Sequence, residues 1–202
     1  AEHGVDLAPH GKTTLSPQLF AAQLDAGAWG LTVANVTQAR LALAAGARRC
    51  LIANQVMAEV DLSALAALQR QHAGARTAFL VDSLAQVALI DNWWHAQAAA
   101  PSPSPRHPAF EVLLEVGLDG GRTGCRSHAQ ALALARRVCD SPALRLVGIE
   151  CYEGLWATGR SVEDEALVDA LLRRVVALAS ACDEERLFDG DELGATLVGD
   201  DG

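Results

Sequence analysis

Ala8-Pro9-His10-Gly11-Lys12-Thr13-Thr14 is the stretch on which the fold turns. It follows a short strand-like run, Val5-Asp6-Leu7-Ala8, and precedes a helical pattern that starts near Ser16. Lys12 therefore stands where a strand hands over to a helix. In a barrel of alternating strands and helices, that rim is where chemistry is done. A lysine there has a use that no other side chain shares, because its amine can hold an aldehyde cofactor as a Schiff base. An isolated loop lysine is usually just solvated, so the reading depends on whether the rest of the chain builds such a rim.

The alternation continues along the chain. Leu19, Phe20, Leu24 and Ala28 recur at helical spacing, with Ser16 as N-cap, Pro17 at the first helical position and Gly27 closing the helix. Trp29–Ala34 reads as a buried strand. Thr37 to Ala45 reads as a helix with Thr37 as its cap and Gly46 beyond its end. Strands at Arg49–Asn54, Thr77–Val81 and Phe110–Val116 then interleave with helices at Leu62–His72 and from Ser83 to about Gln97. A helix over Ser127–Cys139, a strand within Leu144–Tyr152 and a long amphipathic helix over Val162–Cys182 complete the series. Between Ala98 and Pro108 lie four of the seven prolines, alternating with serine. That composition excludes a helix, cannot donate to a sheet, and reads as a surface loop.

Strand and helix units spaced by roughly 30 residues imply a parallel sheet with outer helices. The expected fold is α/β: a TIM-type barrel cut down to six or seven of its eight units, the last doubtful one at Leu197–Gly202. An open doubly wound sheet would need a ligand crevice at a strand-order switch, and no dinucleotide-binding glycine pattern follows the first strand.

The 202 residues carry a formal net charge of -9, which argues against a nucleic-acid surface. No apolar run approaches the roughly 20 residues that span a bilayer, and no signal peptide is visible. The five cysteines are widely spaced and read as reduced thiols of a cytoplasmic protein. The chain begins at Ala1 and breaks into polar residues after Val198, so it reads as a partial domain.

Three chemistry-bearing side chains fall just past predicted strands: Lys12, Arg122 in Glu115-Val116-Gly117-Leu118-Asp119-Gly120-Gly121-Arg122-Thr123-Gly124, and Tyr152 in Gly148-Ile149-Glu150-Cys151-Tyr152-Glu153-Gly154. Together they suit an anionic ring that carries an aldehyde. Lysine holds the aldehyde, arginine pairs with a phenolate or carboxylate, and tyrosine packs on the ring and relays a proton. Each has a plainer alternative: solvation for Lys12, an ion pair with Asp119 for Arg122, a core role for Tyr152. His10 divides evenly between site and structure. Cys125 and Cys151 flank these positions but read as buried inert thiols, Trp93-Trp94 as helix packing, and Asp183-Glu184-Glu185 as a solvated helix end.

These motifs, in this order, resemble the D-threonine aldolase and D-serine dehydratase group, which carries pyridoxal 5'-phosphate on an alanine racemase-like N-terminal barrel. The resemblance runs from about residue 8 to residue 156 through Pro9-His10-Gly11-Lys12-Thr13 with Ser16-Pro17, Gly27–Ala34, Leu51–Val56, Gly121-Arg122-Thr123-Gly124 and Tyr152-Glu153-Gly154. Its flavour is that of the low-specificity amino acid deaminase branch. It implies Lys12 as the lysine that binds the cofactor aldehyde, Arg122 near the ring oxygen and Tyr152 beside the ring as a second catalytic group. His10, Asn54 and Gln55 are implied near the same cofactor by position. The implied reaction is deamination of D-serine or D-threonine by α,β-elimination, with D-threonine aldolase or racemase chemistry, or a cofactor carrier or inactive fragment, as alternatives. The small-molecule partner is a D-amino acid, with neither nucleic acid nor membrane involved, and a homodimer is expected for a full-length form. The group's glycine-rich phosphate cup and its C-terminal β domain, which carries the divalent-metal ligands of metal-dependent members, are not recognisable in residues 1–202. No metal ligand is therefore assigned.

Overall fold

Helix α1 (Pro17–Asp25) starts as its residues dictate: the Ser16 hydroxyl accepts the Leu19 amide at 3.4 Å and Pro17 occupies the first turn. Gly27 and Gly46 both adopt positive φ (93° and 98°), the conformation glycine tolerates after a helix end. The computed structural model describes residues 4–99, 108–154, 159 and 161–189. After α1 the order is β1 (Leu31–Val33), α2 (Val36–Ala44), β2 (Arg49–Gln55), α3 (Glu59–Gln71), β3 (Arg76–Val81), α4 (Leu84–Ala98), β4 (Phe110–Val116), α5 (His128–Cys139), β5 (Leu144–Cys151) and α6 (Val162–Glu184). The five strands form one parallel sheet in sequence order, β1-β2-β3-β4-β5. Each strand is followed by a helix, the pattern of a partial TIM-type barrel.

The first predicted strand is the one that departs most from expectation. Val5–Ala8 forms no named strand, and only His10 makes a parallel bridge, to Thr32. Three backbone bonds nevertheless lay this segment along β1: Trp29 N–H to Leu7 O at 2.8 Å, Thr32 N–H to Pro9 O at 2.9 Å and Gly11 N–H to Thr32 O at 2.7 Å. Pro9 has no N–H to give the ladder, which keeps the pairing short of a regular strand. The Thr32 hydroxyl adds a bond to Ala8 O at 2.8 Å.

Two helix starts also differ. The cap of α2 is Asn35, whose side chain accepts the Gln38 amide at 3.0 Å, and not Thr37, which lies inside the helix. Helix α3 begins at Glu59, ahead of the apolar spacing that starts at Leu62. Glu59 and Asp61 in its first turn complement the positive end of the helix dipole. Ser83 accepts the Gln86 amide at the start of α4 as expected, Ser127 accepts the Gln130 amide ahead of α5, and Ser161 with Asp164 forms a capping box on α6. The proline-rich stretch at 100–107 and the doubtful last strand at 197–202 lie outside the described residues.

The chain divides into two compact units, Ala1–Phe79 with Trp93–Phe110, and Leu80–Asn92 with Glu111–Gly202. In the first, Phe20 is fully buried and its ring occupies the space over Gly11, where a Cβ would stand 2.4 Å from Phe20 Cε1. Glycine before Lys12 is thus a packing requirement. Phe79, Trp93 and Phe110 form an aromatic cluster with centroids 5.6 and 5.8 Å apart, and the Trp93 indole N–H donates to the Ser63 hydroxyl at 3.2 Å. Trp93 packs the core, as expected.

In the second unit β5 buries Leu146 and Ile149, while α5 and α6 bury Leu134, Val138, Leu171, Val175 and Leu178. Each such side chain contributes about 1.5–3 kcal/mol by leaving water. One buried polar group ties helices together there: the Asp91 carboxylate of α4 accepts from Arg137 of α5 and from the Ser141 hydroxyl just beyond it. Ser141 in turn accepts the Ala143 amide at 3.1 Å. Asp91→Ala is expected to cost about 2–3 kcal/mol, less than a fully buried pair because Arg137 reaches solvent. A urea midpoint unchanged from the parent would contradict this account of α4. At the end of α6 the fork of Arg136 holds Glu185 at 2.6 and 2.7 Å, so the acidic run is ion-paired at Glu185 while Asp183 and Glu184 are solvated.

Candidate functional site

In the first unit the register places four of the singled-out residues at one end of the sheet. His10 is level with Thr32, and Thr32 pairs with Leu51. Two residues beyond that bridge Lys12 lies in the following turn, and Asn54 and Gln55 finish β2 past its last pairing with β1 at Ile52. All four therefore stand at the C-terminal ends of parallel segments, where a barrel of this type works. Lys12 is the only lysine in the chain and is exposed in a tight turn. Its amide donates to His10 Nδ1 at 3.2 Å, so His10 fixes the backbone from which Lys12 projects. Asn54 donates to Ala34 O at 3.4 Å and its own carbonyl Oδ1 accepts the Gln55 amide at 3.0 Å, a turn-closing role.

In the second unit Arg122 and Tyr152 line one small, open cleft together with Glu115, Val116, Gly117, Leu118, Gly121 and Thr123. Arg122 comes from the loop after β4, and Tyr152 is the first residue beyond β5. Among the described residues neither side chain makes a hydrogen bond or ion pair, so the alternative pairing of Arg122 with Asp119 is not formed. Tyr152 is half-buried, and its ring lies against Gly154, where a Cβ would stand 2.6 Å from the phenolic oxygen. The glycine two residues after the tyrosine lets the ring fold back over its own chain.

Two arginines that the sequence reading passed over build this cleft. Arg126 Nη1 donates to Leu118 O at 2.6 Å and Thr123 O at 2.7 Å, and its Nη2 donates to Gly121 O at 2.7 Å. Arg174 of α6 reaches Gly117 O at 3.2 Å, Arg126 O at 3.0 Å and Cys125 O at 3.4 Å. The signal for Arg174 was visible: a cation at position 174 falls on the apolar stripe of Leu171, Val175 and Leu178. Glycines make the wrapping feasible, since a Cβ on Gly117 would meet Thr123 O at 2.0 Å and Arg126 Nη1 at 2.4 Å. The loop is fastened further by the Gly124 amide to Asp82 Oδ2 at 3.1 Å and by the Thr123 hydroxyl to the buried Glu115 carboxylate.

The cysteines beside these positions are not nucleophiles. Burial pushes the Cys125 thiol up to about 12, with Asp82 and Glu115 adding to the effect, and burial raises Cys151 to about 12 as well. At neutral pH both stay protonated. All five cysteines are free thiols. Among the described residues no group of three or more His, Cys, Asp or Glu is arranged to hold a metal, and no helix is long and apolar enough to cross a membrane.

A parallel α/β sheet whose singled-out residues stand past the strand ends is the layout of a TIM-type barrel domain. The sequence pattern of the alanine racemase N-terminal domain matches residues 10–189, and the chain belongs to that family. It is 30% identical over 175 residues to a D-threonine aldolase of Arthrobacter sp, a match covering 87% of this chain and 43% of the relative. It is 36% identical over 152 residues to the D-threo-3-hydroxyaspartate dehydratase of Delftia sp. (strain HT23), covering 75% and 37%. Among solved structures, D-threonine aldolase from Filomicrobium marinum superposes with a TM-score of 0.69 at 27% identity, over 89% of this chain and 44% of that one. The dehydratase from Delftia sp. HT23 gives 0.72 at 29%, over 98% and 54%. The resemblance read from residues 8 to 156 is therefore borne out, and the named relatives are enzymes. The chain spans about half or less of the length of these relatives.

Proposed function

We propose that this chain is the pyridoxal phosphate-binding part of a lyase that acts on D-amino acids bearing a β-hydroxyl, and that it deaminates D-serine and D-threonine by α,β-elimination. The observation that carries the reading is the placement of the only lysine. Lys12 is exposed two residues beyond the last sheet pairing of its segment, its backbone fixed by His10. The named relatives support the substrate class, since the aldolase and the dehydratase are both named for a D-amino acid with a β-hydroxyl.

The residues present fit the cofactor. An exposed primary amine suits an aldehyde, and a guanidinium with no partner among the described residues, sharing a cleft with a tyrosine, suits an anionic aromatic ring. Lys12 would hold the aldehyde, Arg122 the ring oxygen, and Tyr152 would pack against the ring. His10, Asn54 and Gln55 would border the site from the sheet end that carries Lys12. When bound, the cofactor supplies the electron sink that acidifies the Cα proton of an attached amino acid. The Lys12 amine, when not itself joined to the aldehyde, would be the base that takes that proton. Overall, D-serine loses water across Cα–Cβ, and hydrolysis of the released enamine's imine tautomer returns one water, giving pyruvate and ammonia.

The test is product analysis of the purified protein, supplied with pyridoxal phosphate, on D-serine, D-threonine and D-threo-3-hydroxyaspartate. Keto acid and ammonia in equal amounts are expected. Glycine and acetaldehyde from D-threonine would assign retro-aldol cleavage in place of elimination. Cofactor binding with no turnover of any of the three would leave a carrier.

The loop arginine has its own expected outcome. Arg122→Gln removes an exposed charge with no ion-pair partner among the described residues, so folding should change by less than about 0.5 kcal/mol. Cofactor affinity should fall by roughly tenfold or more, the scale of one lost charge-assisted bond. Titration by absorbance checks this, and an unchanged affinity would remove Arg122 from the site.

A further inference from the structure

We propose that Arg126 is a positioning residue: it holds the loop 117–125 in the single shape that presents Arg122 to the cleft, and so sets the affinity for an anionic ligand without touching it. The inference rests on the reading of Arg122 as a ligand group.

Two arginines of the same loop have opposite fates. Arg122 is exposed and unengaged, while Arg126 spends three donors on the carbonyls of Leu118, Thr123 and Gly121. Those three carbonyls bracket Arg122 in the chain. The guanidinium sits in a recess that only glycines leave open, since a Cβ on Gly117 or Gly121 would meet Arg126 Nη1 at 2.4 or 3.0 Å. The recess is closed from behind by Arg174, which bonds the carbonyls of Gly117, Cys125 and Arg126 itself. A planar fork with fixed donor directions can bind three carbonyls at once, and a lysine ammonium on a flexible stem cannot reproduce that geometry. The partners of Arg126 are carbonyls rather than carboxylates, so its charge is not cancelled by an ion pair.

The experiment compares Arg126→Gln and Arg126→Lys with Arg122→Gln, the double variant Arg122→Gln/Arg126→Gln, and Arg173→Gln as control. Arg173 is exposed and pairs only along its own helix, with Asp169 at 3.0 Å. Two readouts are needed. The first is amide hydrogen exchange at Gly121 and Gly124, whose N–H groups are bonded to Leu118 O and Asp82 Oδ2. The second is equilibrium affinity for pyridoxal phosphate by absorbance titration. Arg126→Gln should speed exchange at both amides at least tenfold, with Arg126→Lys close behind and Arg173→Gln unchanged. Cofactor affinity should fall about tenfold in Arg126→Gln. The double variant should bind no more weakly than Arg122→Gln alone, because Arg126 acts through Arg122. Additive losses, or exchange unchanged in Arg126→Gln, would overturn the proposal. Should Arg126→Gln fail to fold, Arg126→Lys supplies the same two readouts. If the parent protein binds no cofactor, the cofactor reading fails, and with it the assignment of Arg126 to ligand affinity. Unchanged exchange in a parent that does bind cofactor overturns the positioning role alone.

Discussion

Lys12→Ala is expected to abolish covalent attachment of pyridoxal phosphate and to lower turnover of D-amino acids by at least about a thousandfold, the scale seen when the residue that forms the covalent bond is removed. The expectation follows from composition as much as from position, because no second lysine exists to take over. The fold should be indifferent. Lys12 is exposed in a turn that is closed by backbone donors, Lys12 N–H to His10 Nδ1 and Leu15 N–H to Gly11 O. A stability change within about 0.5 kcal/mol is expected. Absorbance of the bound cofactor and ammonia release measure the first effect, and thermal unfolding measures the second. Activity surviving in Lys12→Ala at more than a few per cent would sink the assignment.

Gly124→Ala is expected to be the most damaging small substitution in the second unit. Gly124 has φ of 91°, and a Cβ there would stand 2.4 Å from Gly117 N and 2.7 Å from Gly117 Cα. Both are backbone atoms, so no flexible side chain can swing aside. The backbone would have to abandon the parallel bridge between Val116 and Cys125 and the bond from the Gly124 amide to Asp82. A cost of about 3 kcal/mol or more is expected from the strain and the lost contacts together. The loop that carries Arg122 would then be lost even where the unit folds. A urea midpoint equal to that of the parent would contradict the loop geometry.

Much of this was legible in the residues because the rules that shape them are local. Serine before a helical spacing marked the caps of α1 and α4 correctly, since a hydroxyl can satisfy the free amides of the first turn wherever it stands. At α2 two residues compete, and Asn35 won over Thr37 through geometry that composition does not encode. Glycines beside a loop arginine, taken from the sequence alone, suit the close approach of a ligand. In the folded chain Gly117 and Gly121 make room for the Arg126 guanidinium, and Gly124 for Gly117. That distinction depends on which side chain returns to the loop, a non-local fact. Arg126 was missed for the same reason: its partners are backbone carbonyls, which every sequence has. The stretch around Lys12 was read correctly as the end of a parallel segment, although the chain approaches it without forming a regular strand. The glycine before Lys12 is set by Phe20, which fills the space a side chain would need.

The central claim is that Lys12 holds the cofactor aldehyde. Borohydride reduction of the protein in the presence of pyridoxal phosphate, followed by proteolysis and mass spectrometry, tests it most directly. The account predicts one pyridoxyl phosphate adduct, on the peptide that contains His10-Gly11-Lys12-Thr13, formed at cofactor concentrations near that of the protein. An adduct found only on the N-terminal amine, or no adduct at saturating cofactor, would contradict it.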